Sequence, residues 1–508
     1  MPSKVFSAAI VSLDAKLVEV EVDVSHGLRS FSIVGLPDKA VEESKERIEA
    51  AIKSSKLLSP HHRTFRVLVN LAPADLKKEG SLYDLPIALA FLTASQQAHF
   101  NPEDKIFLGE LSLDGKLRPA KGALSFALMA KKEGFKEIIL PKQNAKEAAL
   151  VENLKIIGVG SLTEALSYLE NRKSIESFIL EKTHTQRDEN LGNSIDIGWI
   201  KGQEYAKRAL EITAAGNHNL FFFGPPGSGK SLLAKSLPSI LPPLTFAESL
   251  EVTKIYSVAG LLPENQILIN YRPFRSPHHT LSEVALIGGG NPPRPGEMTL
   301  AHRGILFLDE FPEFHRDALE SLRQPIEDGK ITVSRAKNTF TFPSRFTLIA
   351  ASNPCPCGYF NSPEKRCTCT SSQISMYKRK LSGPLMDRMD IFIEVPAVKY
   401  EKLAAESSEN QSEALRDKIE KARNTQKERF KNDKILVNSE MNIPEIKRYC
   451  QHEEKSQNLL KRYVDSGKLS ARGYHRVLKV ARTIADLAEN ENIKYDHIAE
   501  ALMYRLKD

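Results

Sequence analysis

One short stretch restricts this chain more than any other. Gly224, Pro225, Pro226, Gly227, Ser228, Gly229, Lys230 and Ser231 satisfy the pattern G-x-x-x-x-G-K-[ST] in full. The apolar run Leu220-Phe-Phe-Phe223 reads as a buried strand and leads into it, and a helical segment follows. Such glycines let consecutive backbone N–H groups turn inward around phosphate oxygens. The helix beyond adds its positive dipole end. Lys230 can reach β- and γ-phosphates, and the Ser231 hydroxyl can ligate Mg²⁺. The alternative is a glycine-rich turn that arose by chance, and the strand–loop–helix setting argues against it.

Two further strand ends fit the same site. Ile305-Leu-Phe-Leu308 ends in Asp309-Glu310. Carboxylates at the end of a buried parallel strand sit at the mouth of a nucleotide crevice. There Asp309 can hold Mg²⁺ through water, and Glu310 can act as general base on the attacking water. Thr347-Leu-Ile-Ala-Ala-Ser352 is the next strand and ends in Asn353, whose amide can orient that water. An Asn before a Pro is otherwise a turn residue. Short apolar runs alternating with helical segments imply a parallel sheet with helices on its faces.

At 508 residues the chain is too long for one ordinary domain. Residues 1–172 mix alternating strands (Leu17–Val24, Thr64–Val69) with helical stretches, an α+β pattern. Residues 173–193 are polar and aperiodic and read as a linker. Residues 194–395 hold the sheet motifs, and 396–508 turn helical and charge-rich. The apolar start Val5–Leu13 is cut by Asp14 and Lys16, and no run is long enough to span a bilayer. A cytoplasmic chain with no membrane partner is expected. The net charge of +7 permits a nucleic-acid partner without demanding one.

Four of the five cysteines are clustered, as Cys355-Pro-Cys357 and Cys367-Thr-Cys369. Four thiolates in so short a span suit tetrahedral Zn²⁺. The alternative is a disulfide pair, which a reducing compartment disfavours. Cys450 stands alone on a helical segment and reads as packing. His278-His279 has no Cys or carboxylate pair near it in sequence, so it reads as a hydrogen-bonding or substrate-contact pair.

Other motifs stand in order along the chain: Gly202-Gln203, Arg272-Pro-Phe-Arg-Ser-Pro-His-His279, Arg294-Pro-Gly-Glu-Met-Thr-Leu-Ala301, Asn353-Pro-Cys-Pro-Cys-Gly358, Ser382-Gly-Pro-Leu-Met-Asp-Arg-Met-Asp390 and Leu469-Ser-Ala-Arg-Gly-Tyr-His-Arg476. With the phosphate loop they resemble the ComM (YifB) family of magnesium-chelatase-like AAA+ proteins over nearly the whole chain. The resemblance implies an ATP- and Mg²⁺-dependent homo-hexamer that acts as a DNA helicase in branch migration during transformation, possible recombination proteins being its partners. It gives Asn353 the role called sensor 1. It makes Arg388 the arginine finger reaching a neighbouring subunit's site, the alternative being an ion pair with Asp387 or Asp390. It makes Arg472 the sensor 2 arginine, with Arg476, one helical turn on, as the alternative. Ile331-Thr-Val-Ser-Arg-Ala-Lys337-Asn-Thr-Phe-Thr-Phe342 resembles the channel hairpin of MCM-like helicases, with Arg335 and Lys337 placed to touch DNA phosphates. A solvated turn is the alternative.

Residues Asn70–Leu169 resemble the proteolytic domain of Lon proteases, which has the ribosomal S5-like fold. Leu108-Gly-Glu-Leu-Ser-Leu-Asp-Gly-Lys116 and Ile139-Leu-Pro-Lys142 carry the likeness. The family's Ser nucleophile and Lys base fall at Leu82 and Leu124 here, and leucine can neither attack nor take a proton. A slip of one residue would bring in Ser81 but still no base. The expected fold is an α/β AAA+ P-loop core with a C-terminal helical lid and an N-terminal α+β Lon-protease-like domain that does not cleave. The competing readings are a chelatase ATPase subunit, an ATP-dependent protease and a protein-remodelling ATPase.

Overall fold

The computed structural model describes residues 2–61, 64–179, 195–263, 266–290, 293–334, 339–361, 365–381, 383, 385–398, 411–433 and 435–505. The chain forms two compact units. The first contains 1–186 and 249–269, and the second contains 187–248 and 270–508.

The first unit is built on a seven-stranded mixed sheet. Its strands are β1 (Ser3–Val11), β2 (Asp14–His26), β3 (Ser30–Val34), β4 (Phe65–Ala72), β5 (Lys105–Phe107), β8 (Glu137–Pro141) and β9 (Lys155–Val159), and a small antiparallel pair, β6 (Glu110–Leu111) and β7 (Leu117–Arg118), stands apart. The sheet order is β3-β4-β2-β1-β5-β8-β9. In β2 the acidic residues alternate with Val18, Val20 and Val22, all three fully buried, so one face meets the core and the other meets solvent. The helix Asp84–Ala94 is apolar on nearly every face and is accordingly buried along most of its length. Ser249–Ile269 belongs to this unit too: Ser257 bonds to Glu147, and its Oγ accepts from Gly122 N at 3.0 Å.

The second unit carries a five-stranded sheet of β10 (Leu220–Phe223), β11 (Phe274–Arg275), β14 (Ile305–Leu308), β17 (Thr347–Ser352) and β18 (Ile391–Glu394), in the order β11-β14-β17-β10-β18. Every neighbouring pair is parallel. The apolar runs read from sequence are these strands, and β14 and β17 are buried end to end. Two antiparallel hairpins leave the sheet, β12 (Gly288–Gly289) with β13 (Arg294–Pro295), and β15 (Lys330–Ser334) with β16 (Thr339–Pro343). The helices Gln411–Arg429, Glu454–Asp465 and Ala471–Leu487 follow. One hydrophobic cluster joins sheet and C-terminal helices, with Phe222, Ile349, Ile419, Val480 and Ile484 all in it. Among the described residues no helix is long and apolar enough to cross a membrane.

Candidate nucleotide site and cysteine cluster

The three central strands β14, β17 and β10 run parallel, so their C-terminal ends open at one edge of the sheet. Brought together there are the glycine-rich loop after β10, Asp309 after β14 and Asn353 after β17. Gly227 and Gly229 sit at φ +77° and +92°, a conformation side chains with a Cβ avoid, and Gly229 is the residue that starts the helix Lys230–Ile240.

The polar side chains then converge. Ser231 Oγ donates to Asp309 Oδ2 at 2.6 Å, so the hydroxyl and carboxylate that can share one Mg²⁺ are already in contact. The Lys230 ammonium donates to Gly224 O at 2.7 Å, Pro225 O at 2.8 Å and Asn353 Oδ1 at 3.2 Å. Burial pulls the Lys230 pKa down, while the Asp309 carboxylate opposes that shift. Asp309 Oδ1 accepts from Glu310 N at 2.9 Å. Glu310 stands at φ +50°, and its side chain is 56% exposed. Its Oε2 lies 3.0 Å from His279 Nδ1.

That contact is one the sequence did not reveal. His279 follows β11, the strand beside β14, and only the sheet order brings it to Glu310. His278 packs against it, ring centroids 4.1 Å apart.

The two arginines read on the C-terminal helices separate cleanly. Arg476 forms an ion pair with buried Asp390, which also accepts from Asn219 N at 2.9 Å. Burial pushes the Asp390 carboxyl up, but Arg476 and His218 outweigh it and hold it well below the usual range. Arg472 is exposed, next to the start of the same helix. Arg388 pairs with Glu327 at 2.7 Å, not with Asp387 or Asp390. Arg335 and Lys337 lie outside the described residues.

The four clustered cysteines do assemble. Their ligand atoms all lie within 4.8 Å of one another. Sγ of Cys355 is 3.4 Å from that of Cys357 and 3.7 Å from that of Cys367, and Cys357 to Cys367 is 3.5 Å. Zn–S bonds of about 2.3 Å in a tetrahedron place sulfurs roughly 3.8 Å apart, so the donor set fits such an ion. Backbone N–H groups of Tyr359 and Thr368 draw the Cys357 thiol down, while its neighbours Cys367 and Cys369 are pushed up. Cys450 is buried in the C-terminal cluster, as packing requires.

A strand-end phosphate loop with this Mg²⁺ pair defines an ATP-binding P-loop protein. Comparison with known families narrows the class. Residues 196–403 match "Magnesium chelatase, subunit ChlI", residues 20–144 match "Subunit ChlI of Mg-chelatase", and residues 409–505 match its C-terminal region. Competence protein ComM of Haemophilus influenzae is 41% identical over 508 residues, covering 99% of this chain and 97% of that protein. YifB of Escherichia coli is 40% identical over 508 residues, covering 100% and 97%. DNA replication licensing factor Mcm2 of Drosophila melanogaster is 25% identical over 206 residues, 38% of this chain and 20% of that protein. The chain therefore belongs to the ComM (YifB) family of magnesium-chelatase-like AAA+ proteins. ATP and Mg²⁺ are the cofactors the family implies.

Proposed function

We propose that this chain is an ATP-driven DNA motor, working as a ring of six copies and driving branch migration when transformed DNA is recombined. The observation that carries the ATPase part is the closed set Ser231–Asp309 and Lys230–Asn353 beside an exposed Glu310. In this reading Lys230 and the loop hold the phosphates, Ser231 and Asp309 hold Mg²⁺, Glu310 is the general base and Asn353 orients the water. Arg388 is the finger for a neighbouring copy, and Arg472 is the sensor 2 arginine because Arg476 is committed to Asp390.

The DNA part is supported by near-full-length identity with a competence protein and by partial identity with a replication factor. It is also supported by the antiparallel pairing of β15 with β16, between which Arg335 and Lys337 stand in the sequence. Cations at a hairpin turn grip phosphates without reading sequence. Residues 194–395, apart from the 249–269 segment that joins the first unit, form the core and 396–508 the lid. Cys355, Cys357, Cys367 and Cys369 hold one structural zinc.

Residues 1–172 serve as a Lon-like scaffold that does not cleave. Leu124 is fully buried among apolar neighbours, and Ser81 donates its hydroxyl to Glu110. Neither arrangement supplies a lysine base to a serine. The cytoplasm is the expected compartment.

The test is ATP turnover by the purified chain with and without single-stranded and branched DNA. Stimulation by DNA is expected. A rate indifferent to every DNA offered would move the assignment to a chelatase or protein-remodelling ATPase.

A further inference from the structure

The cysteine cluster is not a separate ornament on the second unit. It is inserted directly after Asn353, and its first ligand, Cys355, is fully buried. The chain then turns sharply, with Gly358 N donating to Cys355 O at 2.9 Å. Gly358 adopts φ +85° and lies against the phosphate loop itself. A Cβ added there would fall 2.4 Å from Pro226 Cγ and 2.5 Å from Pro226 Cδ, closer than side-chain atoms pack. Only glycine lets the cluster's turn rest on the crest of the loop. Pro226 follows the two carbonyls, Gly224 O and Pro225 O, that hold the Lys230 ammonium.

The exit of the cluster returns to the same place. The helix Ser371–Leu381 begins just past Cys369, and Tyr377 on it is buried with its hydroxyl 3.4 Å from Ser352 Oγ. That Oγ donates to Asn353 O at 2.8 Å. The cluster thus meets the phosphate loop where Gly358 lies against Pro226, and its exit helix meets Asn353 through Tyr377 and Ser352.

We propose that the four-cysteine cluster is a positioning element of the hydrolysis site: a metal ion closing Cys355, Cys357, Cys367 and Cys369 fixes Gly358 against Pro226 and Asn353 against Lys230, so that metal occupancy governs ATP turnover rather than ATP affinity. This rests on the reading of the cluster as a metal site. Affinity comes chiefly from the loop's backbone N–H groups and Lys230, which the chain holds without the metal. Turnover needs the Asn353 amide in register with the attacking water, and small displacements of a positioning group are costly in rate.

The experiment uses the full chain and three substitutions, Cys367→Ser, Cys367→His and Gly358→Ala. For each, zinc is measured by elemental analysis, ATP affinity by titration with a fluorescent nucleotide, and hydrolysis by single-turnover rates. The wild type is expected to hold one zinc. Cys367→Ser should lose the metal and about tenfold to a hundredfold in rate, with ATP affinity changed less than about threefold. Cys367→His, which restores a zinc ligand, should recover both metal and rate. Gly358→Ala keeps every thiol, so it should keep the metal and still lose rate, because the turn can no longer rest on Pro226. A wild type without metal would overturn the metal reading and this proposal with it. Metal present in the wild type and lost from Cys367→Ser at unchanged rate would overturn the proposal alone. If Cys367→Ser does not fold, Gly358→Ala decides: full metal with an unchanged rate contradicts the coupling.

Discussion

The two units handle polar groups at their strand and helix ends in opposite ways. In the first, several buried carboxylates and hydroxyls are closed off by another polar group. Asp84 is fully buried and takes Arg47 Nε at 2.7 Å, Arg47 Nη2 at 3.1 Å and Leu111 N at 3.1 Å. Glu147 takes Leu124 N at 2.8 Å and the Ser257 hydroxyl. Ser81 is bound to Glu110. In the second unit the strand-end groups face a common loop, and Glu310 remains exposed beside it. A satisfied polar network holds a fold, whereas groups converging on a glycine-rich loop can receive a ligand. These particular groups differ in that way, although buried Asp390 of the second unit is closed off by Arg476 and Asn219.

The sharpest way to break that contrast is to remove two groups of the second unit proposed to act on ATP. Lys230→Ala should abolish nucleotide binding in a fluorescent-nucleotide titration. Glu310→Gln should bind ATP and hydrolyse it about a hundredfold or more slowly, since a general base is worth roughly that much. Robust turnover by Glu310→Gln would remove Glu310 from the reaction.

Arg388→Ala tests whether the site is shared between copies. ATP binding should survive, and turnover should fall about a thousandfold, the usual worth of an arginine finger. Mixing it with Lys230→Ala chains should restore some activity, because each supplies what the other lacks. Loss of ATP binding by Arg388→Ala alone would place the residue in its own subunit's site. Its partner Glu327 is 52% exposed, so Glu327→Ala should change stability by less than about 1 kcal/mol.

Arg476 and Arg472 give the same contrast within one helix. Arg476→Ala strands the buried Asp390 carboxylate and should cost about 3 kcal/mol in urea unfolding. Arg472→Ala should leave stability within about 0.5 kcal/mol and lower turnover. Asp390's folded pKa is depressed, so its contribution is complete above the unfolded value of about 3.9 and fades as pH falls toward the folded one. An Arg476→Ala protein as stable as wild type but slow in turnover would exchange the two roles.

The smallest effect is expected in the first unit. Ser81→Ala should cost about 1 kcal/mol at most and leave ATP turnover unchanged. Cleavage of an unfolded protein by the wild type, lost in Ser81→Ala, would turn the scaffold back into a protease.

Much of the second unit was legible because its signals are local. An apolar run ending in Asp309-Glu310, or a full phosphate-loop pattern after Leu220–Phe223, carries its geometry with it. The β15 and β16 arms were likewise visible as β-prone runs on either side of a basic centre. What stayed hidden depends on contacts distant in sequence. His279 meets Glu310 because β11 lies beside β14, and periodicity says nothing about strand order. Glu327, not an adjacent aspartate, takes Arg388, because Asp390 is turned toward Arg476. Ser249–Ile269 has ordinary helical composition, yet Ser257 bonds to Glu147 in the first unit. Gly358 resembles any glycine in a tight turn until Pro226 is seen beneath it.

The claim that the site drives a motor on DNA is tested most directly by Lys337→Ala. Unwinding of a branched DNA and ATP hydrolysis without DNA are to be measured side by side for wild type and variant. Lys337 is no part of the phosphate-loop, Asp309-Glu310 or Asn353 motifs, so basal hydrolysis should be unchanged. Unwinding, and the stimulation of hydrolysis by DNA, should fall together, and the salt dependence of DNA binding should flatten. Unwinding by Lys337→Ala at the wild-type rate would take the hairpin off the DNA. Failure of the wild type itself to unwind any branched DNA would contradict the motor.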